Sequence, residues 1–385
     1  MRASKGERVH LAIFGNTNSG KSTLINYLTG EDTAIVSDTH GTTTDPINKA
    51  MEIHGLGPVV FIDTAGINDM TDLASKRVEK SIKVIDKADI FLYVLSLDDD
   101  LTFVDRLRKE DKPIIFIAPK QDIDKGAKIL EKFSKLDPIA IDIRTDDRYK
   151  LFENIRKVYE KENNDYKPSL TGKLVNEGDT VILVMPQDKA APKDRLIKPQ
   201  VMTIREIIDK NASSISTSLE NFENTIASLK NPPDLIITDS KVFAEVYKKK
   251  PKDTRLTSFS VLMSGFKGDV DYFMESVKVL DHEVRNILIA EVCTHPPIDE
   301  DIGTVKIPKM LKAKYPDVNI EFARGEDFSN IEKYDLIIEC GSCMFNRASV
   351  MTRVKKCKEK GIPMTNYGIT IAYLKGILEK IYYQE

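Results

Sequence analysis

The sequence predicts an α/β protein with mostly parallel sheets, divided into three domains. The chain has 385 residues, roughly two to three times the length of a usual domain. Short β-rich apolar runs alternate with helical segments, an order typical of parallel sheets covered by helices. A glycine-rich loop follows the first apolar run and precedes a helical one, the arrangement in which a sheet binds phosphate.

The composition excludes several classes of function. The chain carries 57 Lys and Arg against 60 Asp and Glu, a net charge of -3, and 41% of its residues are hydrophobic. The sequence has no excess of basic residues, which would have indicated a nucleic-acid partner. No apolar run approaches the roughly 20 residues of a membrane helix. The N-terminus leads into a charged stretch without an apolar signal segment. We therefore expect a cytoplasmic protein with no membrane and no nucleic-acid partner.

The alternation of elements predicts the first domain, a P-loop domain, over residues 1–166. Its strands are expected near 9–14, 59–62, 90–95 and 114–117. Its helices are expected near 21–28, 73–86, 128–133 and 149–159. The polar stretch 161–168 then breaks the pattern and is typical of a linker.

Two further α/β domains are predicted, over residues 171–264 and 265–385. The middle domain is expected to have strands at 181–185, 235–238 and 259–263 and helices near 203–209, 219–229 and 241–249. The last is expected to have strands at 287–292, 319–322, 335–339 and 363–366 and helices near 307–315, 347–360 and 370–382. The apolar strands 181–185 and 259–263 exceed what the few middle helices can cover, which predicts that this domain dimerises.

The glycine-rich loop fits G-x-x-x-x-G-K-[ST] without a mismatch. Its backbone N–H groups and the dipole of the following helix favour phosphate oxygens. Lys21 is expected to bridge the β- and γ-phosphates, and Ser22 is expected to hold Mg²⁺. The predicted nucleotide-binding residues here are Gly15, Asn16, Thr17, Asn18, Ser19, Gly20, Lys21, Ser22 and Thr23.

A second motif completes the nucleotide site. Asp63 ends an apolar strand 41 residues after Ser22 and is expected in the outer shell of the metal ion. The N–H of Gly66 is then placed to meet the γ-phosphate. Between the two motifs lies a hydroxyl-rich loop, from which Thr43 is expected to reach Mg²⁺ in the triphosphate state.

These motifs resemble those of the potassium-activated GTPases related to the tRNA-modifying GTPase family. The likeness rests on Asn18 and on the runs 41–43 and 63–66. It implies that Asn18 is a ligand of K⁺ and that an apolar residue, Ile67, replaces the usual water-orienting Gln. It also implies recognition of GTP and GDP through N-K-x-D, of which Lys120 and Asp122 match, while Pro119 stands where Asn is expected. The last base-contacting motif is expected near Ala140.

The cysteines suggest a second site in the last quarter of the chain. Cys293 and the pair Cys340 and Cys343 each follow an apolar strand, so the three thiols are expected at the carboxyl ends of strands, where open α/β sheets place ligands. Zinc, an iron–sulfur cluster, a redox dithiol and buried thiols without a ligand all remain possible from the residues alone. Cys357 lies in a helical stretch and is expected to be structural.

The combination of motifs resembles the HydF family, the maturation GTPases of iron-only (FeFe) hydrogenases. The likeness covers the whole chain, including 256–260, 266–269 and 301–308. It implies a middle dimerisation domain, with a homodimer or a higher oligomer, and a last domain that binds a 4Fe–4S cluster through Cys293, Cys340 and Cys343. It further implies a scaffold that carries the two-iron subcluster to apo FeFe-hydrogenase and works with radical-SAM maturation enzymes.

One departure from the family pattern leaves the fourth cluster ligand open. The family has C-x-H followed by H-C-x-x-C, and this chain has Glu339 where the second His is expected. The candidates are His295, Glu300, Glu339 and an exchangeable small molecule. A carboxylate ranks first, and Glu300 ranks ahead of Glu339 because it lies in the loop that leaves Cys293.

Two other functions fit parts of the sequence. One is a potassium-activated GTPase of tRNA modification or ribosome assembly with a zinc-stabilised C-terminal domain. The other is a zinc-stabilised, GTP-dependent switch with no catalytic partner chemistry. Metal analysis of anaerobically purified protein distinguishes them from the hydrogenase scaffold.

Overall fold

The computed structural model describes residues 8–30, 48–64, 84–119, 123–142, 148–162, 169–186, 196–291, 301–324, 328, 330–340 and 345–383. Two compact units divide the chain, Met1–Lys167 and Pro168–Glu385. Both units are α/β structures, so the predicted fold class is confirmed. Within the described ranges, no helix is both long and apolar enough to cross a lipid bilayer.

The first unit is built on one sheet. Its strands are β1 (Val9–Gly15), β2 (Asn48–Ile53), β3 (Gly57–Asp63), β4 (Ile90–Val94), β5 (Ile114–Pro119) and β6 (Ile139–Ile141). They lie in the order β2-β3-β1-β4-β5-β6; β2 runs antiparallel to β3, and the other pairs are parallel. The predicted central strands are apolar because both of their faces are buried. The edge strand β2 is half exposed, and its mixed sequence did not predict a strand.

Helices cover both faces of this sheet. They are α1 (Lys21–Thr29), α2 (Thr102–Arg108), α3 (Ile123–Lys132) and α4 (Arg148–Glu162). Leu28 of α1 and Ile155 of α4 belong to the core on one face, whereas Leu107 of α2 and Ile129 of α3 belong to the core on the other. The predicted helix 73–86 and the predicted linker lie largely outside the described residues.

The second unit contains two parallel four-stranded sheets. The first has β7 (Thr180–Val184), β8 (Ser213–Thr217), β9 (Leu235–Thr238) and β10 (Arg255–Ser258), in the order β10-β9-β7-β8. The second has β11 (Asn286–Glu291), β12 (Asn319–Arg324), β13 (Leu336–Glu339) and β14 (Met364–Asn366), in the order β12-β11-β13-β14. Its helices are α5 (Lys198–Asp209), α6 (Phe222–Ala227), α7 (Phe243–Lys249), α8 (Phe259–Lys267), α9 (Val270–Ser276), α10 (Ile307–Lys314), α11 (Arg347–Glu359) and α12 (Tyr367–Leu374).

One hydrophobic core joins the two sheets of the second unit. Ile182 and Ile236 of the first sheet belong to the same buried cluster as Ile289 and Ile338 of the second. A separate cluster covers the opposite face of the first sheet. The domain boundary predicted between residues 264 and 265 lies inside α8. The helix continues across it, so the predicted boundary does not coincide with a gap in the packing.

The prediction of a strand at 259–263 is wrong, because this segment begins α8. Ser258 ends β10 and caps the helix, its side chain accepting a hydrogen bond from the N–H of Val261. Phe259 and Leu262 pack into one core, whereas Val261 packs into the other. Because α8 packs against two cores, apolar residues lie on two of its faces, and the run 259–263 has no single apolar stripe that would identify a surface helix.

The structure also removes the reason given for dimerisation by the middle domain. β7 is an interior strand, and its side chains alternate between two covered cores: Val181 and Leu183 on one face, Ile182 and Val184 on the other. The supposed second apolar strand is α8. The described part of this sheet therefore has no uncovered apolar strand of the predicted kind, and any self-association needs another explanation.

Glu206 of α5 holds residues 169–171, the first described residues of the second unit, by hydrogen bonds. Its carboxylate accepts hydrogen bonds from the Oγ of Ser169 (2.7 Å), the N–H of Leu170 (2.6 Å), and the N–H and Oγ1 of Thr171 (2.8 and 2.6 Å). Burial favours the protonated form, but the hydrogen bonds from Thr171, Ser169 and Leu170 outweigh it and hold the pKa of Glu206 below its ordinary value.

Replacing Glu206 by Gln should lower the free energy of unfolding of the second unit at pH 7 by about 2 kcal/mol, because charge-assisted hydrogen bonds are lost. The lowered pKa means that this contribution is present above the ordinary value of 4.5 and is lost as the pH falls below it. Urea unfolding followed by circular dichroism, at pH 7 and at acid pH, measures the difference. Glu223→Gln, which alters an exposed ion pair with Lys249, is the control. Equal midpoints for Glu206→Gln and the unsubstituted chain would contradict the prediction.

Candidate functional site

The phosphate loop joins β1 to α1 and reverses direction through left-handed residues. Gly15 has φ 146°, and a Cβ there would lie 2.5 Å from the carbonyl oxygen of Val94 on β4. Asn18 (φ 62°) and Gly20 (φ 95°) are also left-handed. The close approach of β4 explains the glycine at position 15, and the left-handed conformation explains the glycine at position 20. Helix α1 begins directly after Gly20.

Lys21 lies buried against its own loop. Its Nζ donates to the carbonyl oxygens of Asn16 (2.7 Å) and Gly15 (3.0 Å). The N–H of Ser19 also donates to the carbonyl of Asn16, at 3.1 Å. The Oγ of Ser19 is buried and has no hydrogen-bond partner in the described part of the protein. A positive charge and an unused hydroxyl within one tight loop fit a phosphate group.

Ser22 and Asp63 meet beside this loop. β1 and β3 pair in parallel with Ile13 opposite Asp63, which brings the end of β3 next to the loop. The Oγ of Ser22 donates to Oδ2 of Asp63 at 2.9 Å, and Oδ1 is buried without a partner among the described residues. Burial raises the pKa of Asp63, against the hydrogen bond from Ser22 and the charge of Lys21. This oxygen donor set fits Mg²⁺, whose charge would favour the ionised carboxylate.

Several predicted nucleotide-site residues have no described position. Thr43, Gly66, Lys120 and Asp122 lie outside the described residues, although β5 ends at Pro119, immediately before Lys120. Their roles, and the role of Asn18 toward K⁺, stay predictions. The structure adds one contact that the sequence did not predict: the side-chain amide of Asn16 donates to the Oγ of Ser96, at 3.1 Å. These residues are 80 positions apart, and no local pattern links them.

The predicted cysteine site is described only at one of its members. Cys340 directly follows β13, is nearly buried, and donates its N–H to the carbonyl oxygen of Ala290 on β11. Cys293, His295, Glu300 and Cys343 lie outside the described residues. β11 ends at Glu291, and its residue Ala290 pairs with Glu339, the residue before Cys340. Among the described residues, no group of three or more His, Cys, Asp or Glu is arranged to hold a metal ion.

Cys340 lines a cavity of about 480 Å³ inside the second unit. Residues that follow strands of both sheets form its wall: Asp239 after β9, Phe259 after β10, Cys340 after β13 and Tyr367 after β14. Its lining also contains five lysines, Lys198, Lys241, Lys267, Lys306 and Lys375. The lining also includes Asp239 and Glu339, and most of its surface is apolar. The thiol of Cys340 thus provides a soft donor beside an open, largely apolar volume.

Glu339, the predicted alternative ligand, has a cationic partner. It is 1% exposed, and its Oε1 accepts from the guanidinium of Arg353 at 2.9 Å. That guanidinium lies 4.8 Å from the ring centre of Phe328 and 4.7 Å from that of Phe345. This buried ion pair restricts the orientation of the Glu339 carboxylate, and its cation competes with a metal ion for the negative charge. The ranking of Glu300 ahead of Glu339 stays a prediction.

Cys357 belongs to the core of the second unit. It lies on α11 and is fully buried within the shared hydrophobic cluster. Burial, together with the negative charge of Glu339, raises the pKa of its thiol to about 12. A thiol that stays protonated at neutral pH is a poor metal ligand, in keeping with the expected structural role.

Comparison with known proteins identifies the first unit. Residues 10–120 match the family model described as 50S ribosome-binding GTPase. The tRNA modification GTPase MnmE of Streptococcus agalactiae is 36% identical over 158 residues, 40% of this chain and 34% of that protein. The same enzyme of Lactobacillus gasseri is 42% identical over 128 residues, 32% of this chain and 27% of that protein. The matched part of the chain thus spans about a third or less of these relatives.

A solved structure shares part of the chain at low identity. The G domain of the T. maritima FeoB iron transporter is 21% identical; the match covers 40% of this chain and 98% of that domain, with a TM-score of 0.32. The phosphate loop, the sheet built around it and the family match define the first unit as a P-loop GTPase domain.

The rest of the chain determines the family. Residues 170–268 match the hydrogen maturase F dimerization domain, and residues 271–383 match the hydrogen maturase F tetramerization domain. The two matches together cover more than half of the sequence. The chain belongs to the hydrogen maturase F (HydF) family, and the predicted resemblance is confirmed.

Replacing Arg353 by Met should destabilise the second unit by about 3 kcal/mol, because Glu339 then loses the cation that compensates its burial. The double variant Arg353→Met with Glu339→Gln should recover much of that loss, since the buried carboxylate is removed as well. Urea unfolding of the full chain measures both variants. The control is Arg205→Met, which breaks an exposed ion pair with Asp209. A double variant no more stable than Arg353→Met alone would show that the ion pair is not the reason for the loss.

Proposed function

We propose that this chain is a GTP-hydrolysing scaffold and carrier in the maturation of FeFe hydrogenase. It holds the two-iron subcluster as its cargo and delivers it to the apo-hydrogenase. The observation that carries the proposal is the union, in one chain, of a P-loop GTPase domain with two domains of the hydrogen maturase F family. Ribosome assembly and tRNA modification are less well supported, because both family matches beyond the GTPase domain bear the name of the hydrogen maturase.

The proposed nucleotide site assigns each residue a role. Lys21 exchanges its carbonyl partners for the β- and γ-phosphates of GTP, and the Oγ of Ser19 supplies a further contact. Ser22 and Asp63 hold Mg²⁺, Ser22 directly and Asp63 from the outer shell. Thr43 completes the metal ligands, Gly66 contacts the γ-phosphate, and Lys120 and Asp122 select guanine.

The proposed cluster site rests on three thiols. Cys293, Cys340 and Cys343 hold a 4Fe–4S cluster, which supplies one iron whose fourth ligand can be exchanged. The position of Cys340 on the cavity wall supports this assignment, since the cavity leaves room beside the thiol for cargo. Glu300 is proposed as the fourth ligand, with His295, Glu339 and an exogenous molecule as the alternatives.

Self-association and delivery complete the proposal. The names of both matched domains describe assembly, which supports a homodimer or a higher oligomer of this chain. Radical-SAM maturation enzymes are the proposed donors of cargo, and apo FeFe-hydrogenase is the proposed recipient. We place the protein in the cytoplasm, where hydrogenase maturation would supply both partners.

GTP hydrolysis should be at least about tenfold faster in KCl than in NaCl at equal concentration, because K⁺ held by Asn18 would neutralise charge that develops on the phosphates. Asn18→Gly keeps the left-handed backbone available but removes the side-chain oxygen, and should abolish the difference between the salts. Phosphate release at saturating GTP measures the rates.

Two variants serve as controls for the potassium experiment. Lys21→Ala should lose nucleotide binding in either salt, whereas Lys135→Ala, a change of an exposed lysine in the same unit, should behave as the unsubstituted chain. Equal rates in KCl and NaCl for the unsubstituted chain would disprove the potassium role while leaving GTP hydrolysis standing.

Ala in place of Cys293, Cys340 or Cys343 should remove most of the iron and sulfide from anaerobically reconstituted protein, because two thiolates cannot hold a four-iron cluster. Cys357→Ala should keep both, since Cys357 is buried in the core. Iron and sulfide analysis, with electron paramagnetic resonance of the reduced protein, provides the measurement. Protein that contains about one zinc per chain and no sulfide would support the zinc alternative instead.

A further inference from the structure

The turn that follows β4 is fixed by a buried carboxylate. Oδ2 of Asp99 accepts from the N–H of Ser96 at 2.6 Å, and the N–H of Asp99 donates to the carbonyl of Ser96 at 3.3 Å. Oδ1 of Asp99 accepts from the hydroxyl of Tyr93 at 3.2 Å. Asp99 is 5% exposed, so these hydrogen bonds act in a medium that strengthens them. Ser96 is therefore held in one place by backbone and side-chain contacts.

This turn lies against the phosphate loop. β1 and β4 pair in parallel with Gly15 opposite Val94, so the residues that follow the two strands leave the sheet side by side. The buried side-chain amide of Asn16 donates to the Oγ of Ser96 at 3.1 Å. The carbonyl oxygen of the same Asn16 accepts from Nζ of Lys21 and from the N–H of Ser19. Ser96 thus fixes, through its side chain, the residue on which the loop and its lysine rest.

The turn is also fastened to the helix that follows the predicted base-recognition residues. Lys132, at the end of α3, donates from Nζ to the carbonyl oxygens of Leu97 (2.6 Å) and Asp99 (3.2 Å). α3 begins at Ile123, directly after Asp122. The turn at 96–99 therefore contacts both the phosphate loop and the carboxyl-terminal end of α3, the helix whose other end follows the predicted guanine-binding residues.

We propose that Ser96, held by Asp99, is a positioning residue for nucleotide binding: it orients Asn16 so that the phosphate loop stays preorganised for the phosphates of GTP. This inference rests on the proposed GTPase function. Ser96 touches no reacting atom and acts through Asn16. Loss of its hydroxyl leaves the buried amide of Asn16 without this acceptor and frees the loop, so affinity for nucleotide falls while the chemistry at saturation changes little.

The test is a double-mutant cycle on the full chain. Ser96→Ala should weaken the binding of a fluorescent GTP analogue about tenfold and raise KM similarly, with kcat within about twofold. Asn16→Ala should weaken the binding of the analogue by a similar factor. The affinity of the double variant should be no lower than that of the single variant with the lower affinity. Ser96→Thr keeps the hydroxyl and should restore most of the affinity. Asp98→Asn, an exposed change in the same turn, should bind as the unsubstituted chain.

The outcomes separate this inference from the function on which it rests. GTP binding by Ser96→Ala equal to that of the unsubstituted chain would overturn the positioning role. So would additive losses in the cycle, because Ser96 would then not act through Asn16. A fall in melting temperature that accompanies the loss of affinity, without rescue by Ser96→Thr, would reduce Ser96 to a structural residue. An unsubstituted chain that binds no GTP would refute the proposed function itself, and the inference with it.

Discussion

Parallel pairing of neighbouring strands is the constraint on which both candidate sites depend, because it brings the carboxyl ends of the strands to one edge of a sheet. In the first unit β1 pairs in parallel with β3 and with β4, so the phosphate loop, Asp63 and the turn of Ser96 emerge together. In the second unit the same rule gathers the residues that follow β9, β10, β13 and β14 around one cavity. Each site is thus assembled from distant parts of the sequence by strand direction.

Buried polar groups serve two different ends in this protein. In the nucleotide site, Ser19 Oγ and Asp63 Oδ1 are buried without hydrogen-bond partners in the described residues, and each such group costs about 1–3 kcal/mol. A phosphate group and a metal ion that supply the missing partners recover that cost, which favours these ligands at this site. Glu339 and Arg353 are the opposite case, since they satisfy each other and hold the strand end beside Cys340.

The sequence predicts well the features whose signal is local. The phosphate loop, the strand that ends at Asp63 and the interior strands each have a continuous pattern of their own. The edge strand β2 alternates partly exposed residues, and α8 packs against two cores, so both lack the expected pattern. Neither the contact of Asn16 with Ser96 nor the pair of Glu339 with Arg353 follows from any spacing, because tertiary packing alone brings these residues together.

The hydrophobic cluster that spans both sheets of the second unit couples the folding of one sheet to the folding of the other. Two segments that match separate family models share one core, so they are expected to unfold as a single cooperative body. A ligand or subunit that binds only the folded form of one sheet then also stabilises the folded form of the other sheet, by mass action. Assembly of subunits and occupation of the cavity that both sheets line would therefore shift the same folding equilibrium, and each would stabilise both sheets against unfolding.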